Sequence, residues 1–120
     1  MTLSELPVVP QQAMVNIALV ETLRGVIGDD FPFLVSTFVE DSAQKIHRLQ
    51  RLDIHSQQEA IKQIVHSLKG SFCNMGAEQL ASLCGSLESE LLEMTTFEYA
   101  TRIIQIDLHR QKLVAQLKEF

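Results

Sequence analysis

The sequence has no tryptophan, two cysteines and no excess of basic residues. Its 10 lysines and arginines against 15 aspartates and glutamates give a formal net charge of −5 at pH 7. A generic nucleic-acid binder is usually basic, because phosphate contacts dominate its affinity. We therefore predict no nucleic-acid partner. Two cysteines in a chain of 120 residues are too few for a disulfide framework, which favours a reducing compartment.

Long apolar runs are also missing. No segment approaches the roughly 20 apolar residues that a membrane-spanning helix needs. The stretch Met1–Pro10 lacks the basic region and apolar core of a secretion signal. We expect a cytoplasmic protein with no membrane partner. A hydrophobic content of 46% in a chain of this length is enough for one domain with a substantial core.

Proline is confined to the first third of the sequence, at Pro7, Pro10 and Pro32. The long proline-free remainder favours helices over strands and turns. We predict that residues 1–15 form an irregular lead-in and that residues 16–120 form one all-α domain.

Helix boundaries follow from capping residues, glycines and apolar spacing. The predicted helices are Asn16–Ile27, a second capped by Asp29 or Asp30, a third from Ser56 or Gln57 to about Asn74, a fourth after Gly76 and a fifth opened by Thr95 and Glu98. The last two residues have the spacing of a capping box. Because short connections make successive helices antiparallel, we predict an up-down-up-down four-helix bundle with an additional short N-terminal helix.

Apolar spacing also predicts which side chains face the core. In the first helix these are Leu19, Val20, Leu23, Val26 and Ile27. In the fifth helix they are Phe97, Ile104, Leu108, Leu113 and Leu117. Phe33 lies off the main stripe of the second helix, and we predict that it packs under the first helix, with a partner-docking patch as the alternative. Cys84 is predicted to lie in the core.

The third helix has a polar face centred on His66. On a helical wheel the opposite face carries Ile61, Ile64, Val65, Leu68 and Phe72. Within about 60° of the histidine lie Glu59, Lys62, Gln63, Lys69, Gly70 and Cys73. His66 is therefore predicted to point into solvent.

Gly70 is unexpected on this outward face, because glycine in a helix interior costs about 0.5–1 kcal/mol relative to alanine. A bare position beside an exposed imidazole would let another surface approach closely. Lys62 and Lys69 place positive charge next to the ring, as a phosphoryl group would require. Each feature also has an ordinary interpretation: a surface histidine, solvated lysines, or a glycine where two helices cross. The pattern indicates a site without naming its chemistry.

The segment His66-Ser-Leu-Lys69-Gly70, followed by Gly76-Ala77, resembles the signature of the histidine phosphotransfer (HPt) family. Further matching segments are Asp29–Phe33, Phe38–Asp41, Leu80, Leu83-Cys84 and Leu87-Glu88. The similarity covers roughly residues 16–120 and is sharp from His66 to Glu88. It implies a helical bundle of the kind predicted above from periodicity.

The resemblance implies a phosphorelay intermediate of two-component signal transduction. Nε2 of His66 would accept a phosphoryl group from an aspartate of one receiver domain and pass it to an aspartate of another. The partners would be the receiver domains of a hybrid sensor kinase and of a response regulator. The chain would be a phosphocarrier without kinase activity and without a cofactor of its own, with Mg²⁺ supplied by the receiver. The sequence has no carboxylate cluster of its own for a metal and no nucleotide-binding glycine loop, so we expect no metal site.

Roles for individual residues follow from the resemblance by position. Lys69 would neutralise the phosphoryl charge, and Gly70 would permit close docking. Gly76 would shape the loop between the third and fourth helices. Glu88 would hydrogen-bond Nδ1 of the imidazole and leave Nε2 free, or it would simply be solvated. The docking surface would also include Lys62, Gln63 and Cys73.

Two other functions stay open at this point. One is a non-phosphorylated helical adaptor that binds a partner through the same surface. The other is the dimerisation and phosphoacceptor part of a sensor kinase, in which an acidic residue typically follows the histidine. Here Ser67 follows it, so we predict a monomer without a histidine at a dimer seam. By resemblance, and from the start at Met1, we expect a free-standing bacterial protein, although the sequence names neither its donor nor its recipient.

Overall fold

The computed structural model describes residues 15–120, and in this range the chain is helical with no strand. The described α-helices are α1 (Ile17–Ile27), α2 (Phe31–Arg51), α3 (Gln58–Asn74), α4 (Glu78–Glu90) and α5 (Thr96–Leu117). Single 3₁₀ turns, Gly28–Asp30 and Leu91–Glu93, follow α1 and α4. Residues 1–14, on which the predicted irregular lead-in falls, lie outside the described range.

The four longer helices form a closed ring in which each one contacts two neighbours. Helix α2 packs on α3, α3 on α4, α4 on α5, and α5 returns to α2. The predicted all-α four-helix bundle is confirmed. Helix α1 packs against α2 and the turn that joins them.

The start of α5 is fixed by the predicted capping box. The Thr95 hydroxyl accepts a hydrogen bond from the Glu98 amide at 3.1 Å, and the Glu98 carboxylate accepts one from the Thr95 amide at 3.1 Å. Hydrogen bonding to the carboxylate, first from the Thr95 backbone and then from the Thr95 side chain, favours its charged form and lowers the pKa of Glu98. The predicted aspartate cap of α2 is wrong. The 3₁₀ turn runs directly into α2, so Asp30 already has helical backbone angles and its side chain makes no capping hydrogen bond.

Aromatic side chains connect the helices inside the bundle. The rings of Phe38 and Phe72 join α2 to α3 edge to face, with centroids 5.9 Å apart. The Tyr99 hydroxyl donates to the Leu49 carbonyl at 2.7 Å and links α5 to α2. Burial raises the pKa of Tyr99 to about 12. His109 is also buried, with its Nδ1 2.8 Å from the Gln105 carbonyl oxygen.

The predicted core face of α5 is partly wrong. Leu113 and Leu117 are buried as expected, but Phe97 and Ile104 are 55% and 48% exposed. The buried face of α5 instead continues with Tyr99, Ile103 and Ile106. At about 100° per residue, Phe97 and Ile104 fall on the side of the helix opposite this buried face. The predicted core stripe of α5 therefore combines residues from two separate faces of the helix.

The predicted core face of α1 is partly wrong, and the predicted packing of Phe33 is wrong. In α1 Val20 is buried and Leu23 and Ile27 are partly buried against the core, but Leu19 and Val26 are 40% and 80% exposed. Phe33 does not pack under α1, since 74% of it is exposed. The buried residues Phe31, Val35 and Phe38 define the inner face of α2 and leave Phe33 on its outer side.

Gly76 joins α1 to the loop between α3 and α4. Its φ of +73° lies in the left-handed region, which glycine adopts readily. A Cβ atom at this position would lie 3.2 Å from Cδ2 of Leu19, and the Gly76 carbonyl accepts a hydrogen bond from the Asn16 amide at 2.9 Å. Gly76 thus ends α3 sharply and seats the first turn of α1 against the loop.

Candidate functional site

The orientation of α3 is set by its apolar face. All five residues predicted to face the core are buried, namely Ile61, Ile64, Val65, Leu68 and Phe72. The opposite face therefore points to solvent, and 78% of the His66 side chain is exposed. The predicted outward position of His66 is confirmed.

Glu88 of α4 lies beside the imidazole. Its Oε2 is 3.7 Å from Nδ1 of His66, and the Glu88 side chain is 33% exposed. This separation is longer than a direct hydrogen bond but short enough for an electrostatic contact. Nε2, the other ring nitrogen, has no partner among residues 15–120. The two ring nitrogens therefore have different surroundings, one facing a carboxylate and one open.

Lys69 lies one turn after His66 and extends across α4. A Cβ atom built on Gly85 would lie 3.5 Å from Nζ of Lys69 and 3.7 Å from its Cε. The lysine side chain thus passes over the bare backbone of Gly85. Lys69 forms no ion pair within the part of the chain that the structure describes, so its positive charge is not neutralised locally.

Gly85 is a site residue that the sequence reasoning missed. It lies inside α4, three residues before Glu88, and Lys69 passes over its backbone, where a Cβ atom would make only ordinary contact with the lysine. The available signal was a further glycine in a helix interior, which has a conformational cost like that of Gly70. What the sequence did not show was that α4 packs so closely beside α3 at this point.

Gly70 borders open space. A Cβ atom at Gly70 would meet nothing within 4 Å outside its own helix backbone. The alternative that Gly70 allows two helices to cross is therefore wrong, since no helix lies against it. The backbone beside His66 is left bare on the solvent side.

The remaining predicted surface residues all lie on the outer side of α3. Gln63 and Cys73 are exposed, and Lys62 is half-buried. Lys69 and Cys73 form one wall of a shallow depression, whose other wall is made of the α4 residues Glu78, Ala81, Ser82, Gly85, Ser86 and Ser89. Most of these α4 side chains are small, so the surface next to His66 is smooth and open. The second thiol is different: Cys84 is buried, and burial raises its pKa to about 12, so it stays protonated at neutral pH.

Residues 15–120 contain no group of three or more histidine, cysteine or acidic side chains placed to hold a metal ion. Within the same range, no helix has the length and apolar character required to cross a membrane.

Comparison with known proteins identifies the class to which this bundle belongs. The Hpt domain family matches residues 34–119, which is 86 of the 120 residues. The chain therefore belongs to the Hpt domain family, whose members are phosphocarriers that interact with receiver domains in two-component signalling.

A solved structure agrees with this assignment. The chain is similar to histidine-containing phosphotransfer protein B from Pseudomonas aeruginosa, with 25% sequence identity and a TM-score of 0.71. The match covers 88% of this chain and 92% of that protein's chain. Among curated protein sequences no significant match was found. Family and fold together support a role in phosphotransfer within two-component signalling.

Proposed function

We propose that this protein is a phosphorelay intermediate in which His66 accepts a phosphoryl group from an aspartate of one receiver domain and passes it to an aspartate of another. The observation that carries the proposal is the arrangement around His66. Its imidazole is 78% exposed, its Nδ1 faces the Glu88 carboxylate, and its Nε2 is open. An ordinary surface histidine would need neither a carboxylate behind it nor a bare backbone beside it.

The chemical step uses Nε2 as the nucleophile. With its proton on Nδ1, the neutral imidazole has a lone pair on Nε2. This lone pair attacks the phosphorus of the aspartyl phosphate, the N–P bond forms, and the P–O bond to the aspartate breaks and releases a carboxylate. Glu88, at 3.7 Å from Nδ1, favours the tautomer that keeps the proton there and stabilises the positive charge that develops on the ring. The same step in reverse transfers the group to the second receiver.

Lys69 is proposed to stabilise the transferred group. Phosphoryl transfer depends mainly on positioning and on charge stabilisation, because negative charge is spread over the equatorial oxygens. The ammonium group of Lys69 has no competing carboxylate partner among the described residues, and it lies across α4 over the backbone of Gly85. It can therefore meet the phosphoryl oxygens without blocking the approach of a receiver.

The receiver is proposed to dock over the outer face of α3. Gly70 keeps this surface flat beside His66, and the surface continues over Lys62, Gln63 and Cys73. The acidic pocket and the Mg²⁺ ion come from the receiver in this proposal, and the present chain contributes no cofactor. His66, Lys69 and Glu88 come from one chain, so a single copy is sufficient for transfer.

Phosphoryl acceptance tests the proposal directly. The protein is incubated with a phosphorylated receiver domain and Mg²⁺, beside His66→Gln and, as a matched control, His47→Gln, which alters another exposed histidine. We expect acid-labile, alkali-stable label on the wild type and on His47→Gln but none on His66→Gln. Lys69→Ala should still accept label, about 10–100-fold more slowly, because it loses charge stabilisation but keeps the nucleophile.

A negative result would also be informative. If no receiver from the same organism labels the wild type although it binds one of them, the protein is a non-phosphorylated adaptor. Label that persists in His66→Gln would place the acceptor elsewhere and overturn the assignment of His66.

A further inference from the structure

Helix α5 has a second, largely apolar face that points away from the core. The residues on this face follow one another at intervals of four and three, and we call them the outer seam: Phe97, Thr101, Ile104, Leu108, Gln111 and Ala115. Phe97 and Ile104 are 55% and 48% exposed, and Gln111 and Ala115 are exposed as well. Thr101 and Leu108 are half-buried. No charged residue interrupts the seam over its length.

The spacing of the outer seam is that of a coiled coil. An amphipathic surface helix needs one apolar face, and α5 already has one in the buried residues that include Ile103, Ile106 and Leu113. A second stripe with an average spacing of 3.5 residues is the pattern by which one helix packs along another. The outer seam therefore points to a helix as its occupant.

We propose that the occupant is α5 of a second copy of this chain, packed antiparallel. The sequence of the seam is complementary to itself when reversed about a midpoint near residue 106. Phe97 then meets Ala115 of the second copy, a large side chain against a small one. In the same register Ile104 meets Leu108, and Thr101 meets Gln111. Each pair occurs twice, as the two-fold symmetry of a homodimer requires.

Charges beside the seam favour the same arrangement. In this register Glu98 lies diagonally across from Lys112 of the second copy, two residues from the position directly opposite. Lys112 forms no ion pair within residues 15–120, and Glu98 uses only Oε1 in its capping hydrogen bond. Asp107, which approaches its own counterpart, is already neutralised by Arg110 at 2.9 Å. A parallel arrangement would instead place Gln111 against Gln111 and would separate Glu98 from Lys112.

The proposed dimer leaves the phosphotransfer site free. Helix α5 lies between α2 and α4 in the ring, and the outer seam is on the side of α5 away from the core. His66 is on the outer face of α3, so both copies keep it exposed. One helix from each copy gives an interface at the small end of the known range, and we expect a dissociation constant of about micromolar or weaker. The predicted monomer is then the dilute state, and the inference does not depend on His66 chemistry.

Sedimentation velocity over a concentration series tests the association. The wild type should change from monomer to dimer as its concentration rises to about 1 mM. Ile104→Glu should raise the dissociation constant by at least about tenfold, because it places two charges in the centre of the interface. Val26→Glu adds the same charge at a position that is 80% exposed on α1 and should leave the constant unchanged. Circular dichroism verifies that both variants stay helical.

Cysteine cross-linking tests the direction of packing. In a Cys73→Ser background, Gln105→Cys brings two thiols together only in the antiparallel dimer, whereas Ile104→Cys does so in a parallel one. Mild oxidation by copper phenanthroline and air should therefore link Gln105→Cys far faster than Ile104→Cys. The opposite order would overturn the proposed arrangement. A wild type that stays monomeric throughout, or that dimerises only after removal of residues 1–14, would overturn the dimer itself.

Discussion

The outward faces of α3 and α5 differ in the kind of partner they suit. On α3 the face is polar, carries an exposed imidazole and has a glycine backbone open to solvent. On α5 the face is largely apolar at helical spacing and carries no histidine. The outward face of α3 suits brief docking of a receiver, because a polar surface buries little apolar area and its complexes dissociate readily. The outward face of α5 suits association through burial of apolar side chains. In the two proposals, one small bundle separates chemistry from assembly by placing them on different helices.

The largest expected effect comes from removing one side chain from each face of α3, first from the buried face and then from the exposed one. Leu68→Ala should lower the free energy of unfolding by about 2–5 kcal/mol, since Leu68 is fully buried and its loss leaves a cavity. His66→Ala should change it by less than about 0.5 kcal/mol, because the side chain is exposed. Urea titration followed by circular dichroism measures both. A His66→Ala variant that loses helicity would show that His66 is structural and would remove the contrast between the faces.

A smaller effect is expected at Gly70, where stability and docking should change in opposite directions. Gly70→Leu puts a better helix former into open space, so we expect the free energy of unfolding to rise by about 0.5–1 kcal/mol. The added side chain also stands between the receiver and His66, and receiver binding should weaken by about tenfold. Calorimetric titration with a receiver domain measures the binding. Gly25→Leu is the matched control, because it adds the same side chain at a glycine of α1 that also borders open space but lies on another helix. If Gly70→Leu binds as the wild type does, the bare backbone has no part in docking.

The outward faces of α3 and α5 also differ in how well the sequence predicted them. On α3 the apolar residues form one stripe, so the wheel located both the core and the exposed His66. On α5 two stripes of similar character lie on opposite sides, and spacing alone could not assign Phe97 and Ile104 to the outer one. The capping box was predictable because it depends on residues three apart. The contact between Lys69 and Gly85 was not, because it depends on the packing of α3 against α4. The role of Glu88 stays a prediction, with its carboxylate 3.7 Å from Nδ1.

The smallest expected effect concerns the first turn of α5, from which the outer seam begins. The pKa of Glu98 is lowered in the folded state, chiefly by the hydrogen bond from the Thr95 backbone. A lowered pKa means that the charged carboxylate stabilises the fold at pH values above its ordinary value near 4.5. This contribution is lost as the pH falls through the folded-state pKa. The wild type should therefore be slightly more stable than Glu98→Gln at pH 7, and the difference should shrink as the pH falls below 4.5. Urea titrations at several pH values measure it, with Glu21→Gln as the control for net charge. A difference that is the same at pH 7 and pH 3 would mean that the charge of Glu98 does not stabilise α5.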